Sequence, residues 1–152
     1  MNAATSPELK LHLVVGYDGS PPAVRALDAA VRLLSGRDGQ IVVLYVAHVP
    51  AEDALSADAF VQVELSFDEV AKELRAQADE QLRGREERWE FEWRQGLITD
   101  ELISVATRIG EAHPGDNVAI VVGSSSHAMH RVVGSVAVSL SRHAPVPLVI
   151  VP

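Results

Sequence analysis

Two stretches of this chain, QIVVLYV (Gln40–Val46) and VAIVVG (Val118–Gly123), are almost unbroken runs of β-branched and other apolar residues. Strands of that kind have to be covered on both faces, as the central strands of a parallel sheet are covered by their crossover helices. Three further runs read as strands: LHLVVGY (Leu11–Tyr17), RWEFEWRQ (Arg88–Gln95) and PLVIV (Pro147–Val151). In the third strand of the chain, Trp89, Phe91 and Trp93 alternate with Glu90, Glu92 and Arg94. That alternation predicts a strand near a sheet edge with one wet face, its aromatic side chains in the core rather than free to stack bases.

Helix-period segments separate these runs, and the alternation of strand and helix predicts an α/β domain. The first helix is expected over Pro21–Leu34, with Val24, Leu27, Val31 and Leu34 inward, Ser20 as its cap and Pro21 where no N–H is needed. The second is expected over Phe67–Leu82, with Phe67, Val70, Leu74, Ala78 and Leu82 inward, after a long acidic connection from Pro50 to Ser66. A third, capped by Thr99 and carrying Asp100 and Glu101 in its first turn, runs to about Ala112. The fourth starts near Gly134-Ser135 and reaches His143, a cation suited to a last turn.

Length and composition bound the function. The 152 residues, 47% of them hydrophobic, suit one domain over residues 11–152 behind a flexible lead-in over 1–10. No apolar run reaches the roughly 20 residues of a membrane span, and the first ten residues carry no secretory pattern, so a cytoplasmic location is expected. A net charge of −8 repels a phosphate backbone, which argues against nucleic acid as a partner. A single nucleotide can still bind an acidic protein through backbone N–H groups and helix dipoles at short range. The absence of cysteine removes disulfides, thiolate metal sites and thiol nucleophiles.

In such a sheet, ligands meet the loops at the carboxyl ends of the strands. The candidates are Tyr17-Asp18-Gly19-Ser20, Ala47-His48-Val49-Pro50 and Gly123-Ser124-Ser125-Ser126, the last leading through a basic stretch to Gly134-Ser135 at a helix start. Small residues and free N–H groups there form a phosphate nest, though no GKS or GKT of a P-loop occurs. His127, His130 and Arg131 read as cations around that phosphate; His127, His130 and His143 make a poor metal set, because there is no cysteine and no acidic third ligand lies near. No Gly-x-Ser-x-Gly elbow is present, and no catalytic residue is assigned.

The first-strand ending VVGYDGS, the strand VAIVVGSSS, the helix GSVAVSLSRHAP and the terminal VPLVIVP together resemble a universal stress protein domain over about Leu11–Pro152. The resemblance implies an open, mainly parallel five-stranded sheet in the order 3-2-1-4-5 with helices on both faces, an adenine nucleotide alpha hydrolase-like, Rossmann-like fold. It implies a non-enzymatic stress-response regulator that binds an adenine nucleotide, ATP first, with or without magnesium; slow hydrolysis is left open. Asp18, Gly19, Ser20 and the backbone of Val46 would then hold base and sugar, and Gly123, Ser124, Ser126, Gly134, Ser135 and Val136 the phosphates. The family's phosphate signature is Gly-x-x-Gly, nine residues, then Gly-Ser or Gly-Thr. Here Ser126 replaces its second glycine, the interval is two residues shorter, and Gly96-Leu97-Ile98 stands where Gly-x-Pro is common. These departures favour the alternative, a nucleotide-free dimeric interaction module. In either case the resemblance implies a homodimer through the apolar C-terminal edge strand.

Overall fold

Strand residues of even and odd number part company in this chain. Leu13, Val15, Ile41, Val43, Ala119 and Val121 join one buried cluster, whereas Val14, Val42, Leu44, Val118, Ile120 and Val122 join a second. Side chains alternate across a pleated strand, so one sheet separates two cores. The computed structural model describes residues 8–48, 56–85, 87–124 and 134–152. Its strands are β1 (Leu11–Gly16), β2 (Gly39–Ala47), β3 (Trp89–Gln95), β4 (Asn117–Gly123) and β5 (Leu148–Val151), and its helices α1 (Pro21–Leu34), α2 (Ala57–Leu82), α3 (Ile98–Ala112) and α4 (Ser135–His143). The sheet order is β3-β2-β1-β4-β5, with every pair parallel. The odd-numbered face packs on α1 and α2, the even-numbered face on α3 and α4.

Helix α1 follows expectation: Leu27, Val31 and Leu34 are buried, Val24 packs partly, and Ser20 Oγ accepts the Ala23 N–H at 3.4 Å. Helix α2 departs from it. It starts at Ala57 rather than Phe67, capped by Ser56 Oγ, which accepts from Ala59 N–H at 3.3 Å, with Asp58 in the first turn. Its buried residues, Ala71, Leu74, Ala78 and Leu82, all lie in the second half, and Val70 is exposed because Ala71 takes the inward place. The first half shows only a weak apolar period because it covers no core; a cap and good helix formers carry it. Helix α3 also starts earlier than expected. Leu97 is its N-cap residue with no side-chain bond, so Thr99 lies within the first turn, alongside Asp100 and Glu101.

Strand β3 is an edge strand as expected, and Trp89 and Phe91 pack against the α1/α2 core. Its charged face, however, is only partly wet. Glu90 is exposed, but Glu92 and Arg94 are half-buried beneath α3. Glu92 takes Arg94 Nε at 2.8 Å and Arg108 Nη2 at 2.7 Å, and Arg94 Nη1 reaches Glu101 at 3.3 Å. Burial works to raise the Glu92 carboxyl, but hydrogen bonds from Arg108 and Arg94 outweigh it and hold the group below its ordinary value. Paired charge on an edge strand also blunts it against stray pairing.

Candidate functional site

Strand parity places the site as well as the cores. In β2, Ile41 N–H donates to Arg88 of the β3 side and Ala47 C=O accepts from Gly96, so the odd residues bond toward β3. Leu44 C=O accepts from Tyr17 N–H at 2.8 Å, so the even residues bond toward β1. Because the β1 register ends at Gly16 opposite Leu44, the N–H and C=O of Val46 face the gap beyond the end of β1. The chain leaves β1 there for α1, with β2 on one side and β4 on the other, and a crevice opens at this switch of direction.

The crevice is a cleft of about 220 Å³. Asp18 and Ser20 line it from the β1–α1 turn, Val46 from β2, Gly123 from β4, and Gly134, Ser135 and Val136 from the start of α4. Segments more than a hundred residues apart therefore meet in one place. Two other sequence candidates stand aside. Gly19 turns toward α2, where an added Cβ would lie 2.7 Å from Gln77 and 2.8 Å from Leu74. Ser124 N–H is spent on the sheet, donating to Val151 C=O at 2.8 Å. Ser126, His127, His130 and Arg131 lie outside the described residues, and His143 Nδ1 pairs with Ser139 C=O at 2.9 Å.

The two helix starts beside the cleft differ in chemistry. Each helix begins with N–H groups that have no partner inside the helix. At α1, Pro21 and Pro22 have no N–H, Ala23 is capped by Ser20 Oγ, and Val24 donates to Ser20 C=O at 2.9 Å; nothing is left for an anion. At α4, Gly134 is the N-cap residue, no side chain among the described residues caps the helix, and the first intrahelical bond is Val138 N–H to Gly134 C=O at 3.1 Å. The N–H groups of Ser135, Val136 and Ala137 thus stand at a cleft wall with the positive end of the helix dipole behind them. Gly123 has a further reason to be glycine: a Cβ there would land on the Pro22 carbonyl, so it lets α1 pack against the end of β4.

At the opposite wall, Asp18 is exposed, and its Oδ1 accepts from Ser20 N–H at 3.0 Å, which orients the carboxylate. Burial first, and the Asp18 charge second, push the Tyr45 hydroxyl above its ordinary value; the same causes in the same order, with Asp28 third, raise Tyr17. Both phenols stay protonated through the neutral range. Sequence inspection did not assign Tyr45, Leu44, Val122 or Ile98 to the site, yet all four line it. Ile98 was the most findable, since it fills the third place of Gly96-Leu97-Ile98 and opens α3 over the cleft.

A family model described as the universal stress protein family matches residues 11–152. The universal stress protein UspA from Lactobacillus plantarum is similar in fold at 20% identity, with a TM-score of 0.71, covering 95% of this chain and 99% of that one. A universal stress protein in complex with cAMP is similar at 21% identity and a TM-score of 0.64, covering 95% of this chain and 98% of its own. An Arabidopsis thaliana universal stress protein family protein with AMP bound is similar at 15% identity and a TM-score of 0.59, covering 93% and 90%. No curated protein matches the chain.

Proposed function

Since the chain belongs to the universal stress protein family, we propose that the cleft at the carboxyl end of its sheet binds an adenine nucleotide, ATP first, and that the protein is a cytoplasmic stress-response regulator rather than a catalyst. The observation that carries this reading is the start of α4, without a side-chain cap among the described residues, set in the same cleft as the Val46 backbone that faces the gap beyond β1. One supplies three N–H donors and a dipole for a phosphate; the other supplies a donor and an acceptor in a row, which suits the edge of adenine. Asp18, on the cleft lining, accepts from sugar hydroxyls. The relatives described with cAMP and with AMP bound support the same ligand class.

A cleft of about 220 Å³ has room for base and sugar, so the phosphates of ATP extend past Ser135, with magnesium offsetting part of their charge in a chain of net charge −8. Among the described residues, Asp18 is the one carboxylate lining the cleft and no histidine lines it. With Asp18 on the sugar, no described residue of the cleft lining is left to act as a general base on the phosphate.

The test is to denature freshly purified protein, identify released nucleotide by mass spectrometry, and titrate the emptied protein with ATP, AMP and cAMP, with and without magnesium. Near one adenine nucleotide per chain, or micromolar rebinding, sustains the proposal; no release and no heat at millimolar ligand overturns it. One observation favours the second reading, a nucleotide-free dimeric module. The Ser124 N–H is already committed to β5, leaving the phosphate fewer donors than the sequence suggested. In both readings β5, paired with β4 on one side only and exposing Ile150 at 37%, joins the same strand of a second copy.

A further inference from the structure

The opposite end of the sheet holds a polar cluster that the nucleotide reading does not use. His12 lies on the even face of β1, where its neighbours in number, Val14 and Val42 in the adjoining strand, belong to the α3/α4 core; it is 5% exposed. Its Nε2 donates to Asp116 Oδ2 at 2.9 Å, across 104 residues of sequence. Its ring stacks on His113, centroids 4.6 Å apart and planes 22° from parallel. One ligand atom from each of the three residues lies within 4.8 Å of the others.

The arrangement is built rather than incidental. His113 and Asp116 are the two ends of the turn His113-Pro114-Gly115-Asp116, closed by Asp116 N–H to His113 C=O at 3.1 Å. Proline in second place and Gly115 at φ +91 in third make it a type II turn, whose ends are held at a set separation. The other carboxylate oxygen, Asp116 Oδ1, accepts from Lys10 N–H at 3.3 Å, and Asn117 N–H returns to Lys10 C=O at 2.9 Å. Such a bond to the free oxygen of a carboxylate is how outer groups orient metal ligands.

We propose that His12, His113 and Asp116 form a binding site for one borderline divalent cation of the zinc type, at the amino ends of β1 and β4. Two imidazoles and a carboxylate make a donor set suited to zinc, with the fourth position open to water. His12 and His113 line a cleft of about 420 Å³ through which a hydrated ion can enter, and the nearby Arg108 charge is offset by Glu92. The metal takes the place of the proton between His12 Nε2 and Asp116 Oδ2, with the neutral imidazole carrying its N–H on Nδ1 instead. Ligands of a tetrahedral zinc at about 2.0–2.1 Å stand roughly 3.3 Å apart, so His113 must leave the stack and swing inward. As an exposed residue just past α3, it is free to do so.

The test uses Co²⁺ as a visible stand-in for zinc on the chelator-treated full chain. One Co²⁺ per chain is expected, with the absorption of a tetrahedral complex and displacement by Zn²⁺ but not by Mg²⁺. His113→Ala, which removes an exposed ring, and Asp116→Asn are each expected to weaken Co²⁺ binding at least about tenfold with the far-ultraviolet circular dichroism unchanged. No tetrahedral absorption at millimolar Co²⁺, or absorption that survives His113→Ala undiminished, overturns the proposal.

Discussion

Replacing Gly134 by aspartate separates the stability of α4 from its proposed task. Gly134 sits at φ −57 and ψ 156, a conformation open to any residue, and it caps the helix without a side chain. An aspartate there accepts from the N–H groups of Val136 or Ala137, which improves the cap by a few tenths of a kcal/mol over glycine. Its charge at the positive end of the helix dipole adds about 0.3–1 kcal/mol. The sum is about 0.5–1.3 kcal/mol of added stability, or roughly 1–5 °C in Tm for a chain of this size. The same side chain occupies the donors proposed for a phosphate and sets a like charge beside it. Losing hydrogen bonds to a charged group costs about 1.5–3 kcal/mol each, so ATP affinity should fall at least about a hundredfold. Thermal melts followed by circular dichroism and calorimetric titration with ATP read the two effects separately. A variant that melts higher yet binds ATP as before refutes the phosphate assignment at α4. A variant that melts lower refutes the capping geometry itself.

Gly123→Ala should cost about 1–3 kcal/mol of stability, read by calorimetric melting, because its Cβ meets the Pro22 carbonyl. Glu92 has a folded value below its unfolded one, so its pairing with Arg94 and Arg108 stabilises the fold above the ordinary carboxylate range and is lost as pH falls through the lowered value. Glu92→Gln should therefore cost roughly 1 kcal/mol near neutral pH, and urea titrations should show the difference from the parent closing in acid. If β5 joins two copies as proposed, light scattering coupled to gel filtration should find the parent chain dimeric and Ile150→Lys, on the exposed face of the edge strand, monomeric, without a loss of the far-ultraviolet helix signal.

Strand identities, the four helices and the cap at Ser20 were legible because each depends on residues within one turn or one strand of each other. The β-branched runs, the period of Val24, Leu27, Val31 and Leu34, and Ser20-Pro21 are local signals of this kind. The start of α2 was not, because periodicity reports burial, and Ala57–Val70 buries almost nothing. The cleft was legible in part. Asp18, Val46, Gly123 and Gly134-Ser135 each end or open an element, and parallel topology brings such ends together.

What the chain by itself determined, then, is which segments are strands and helices and which face of each strand is apolar. Only the tertiary structure decided what each polar group spends its bonds on. Ser124 looks like a phosphate contact in the sequence, but β5 takes its N–H, and Gly123 keeps its place in the cleft lining while also letting α1 pack beside it. Glu92 and Arg94 look solvated until α3 folds over them with Arg108 and Glu101. His12 looks like a lone histidine in an apolar run until the crossover through α3 returns His113 and Asp116 to its side. The physical reason is common to all three cases. A hydrogen-bonding group is satisfied by whichever partner the crossovers bring within about 3 Å, and no local pattern in the sequence records that partner.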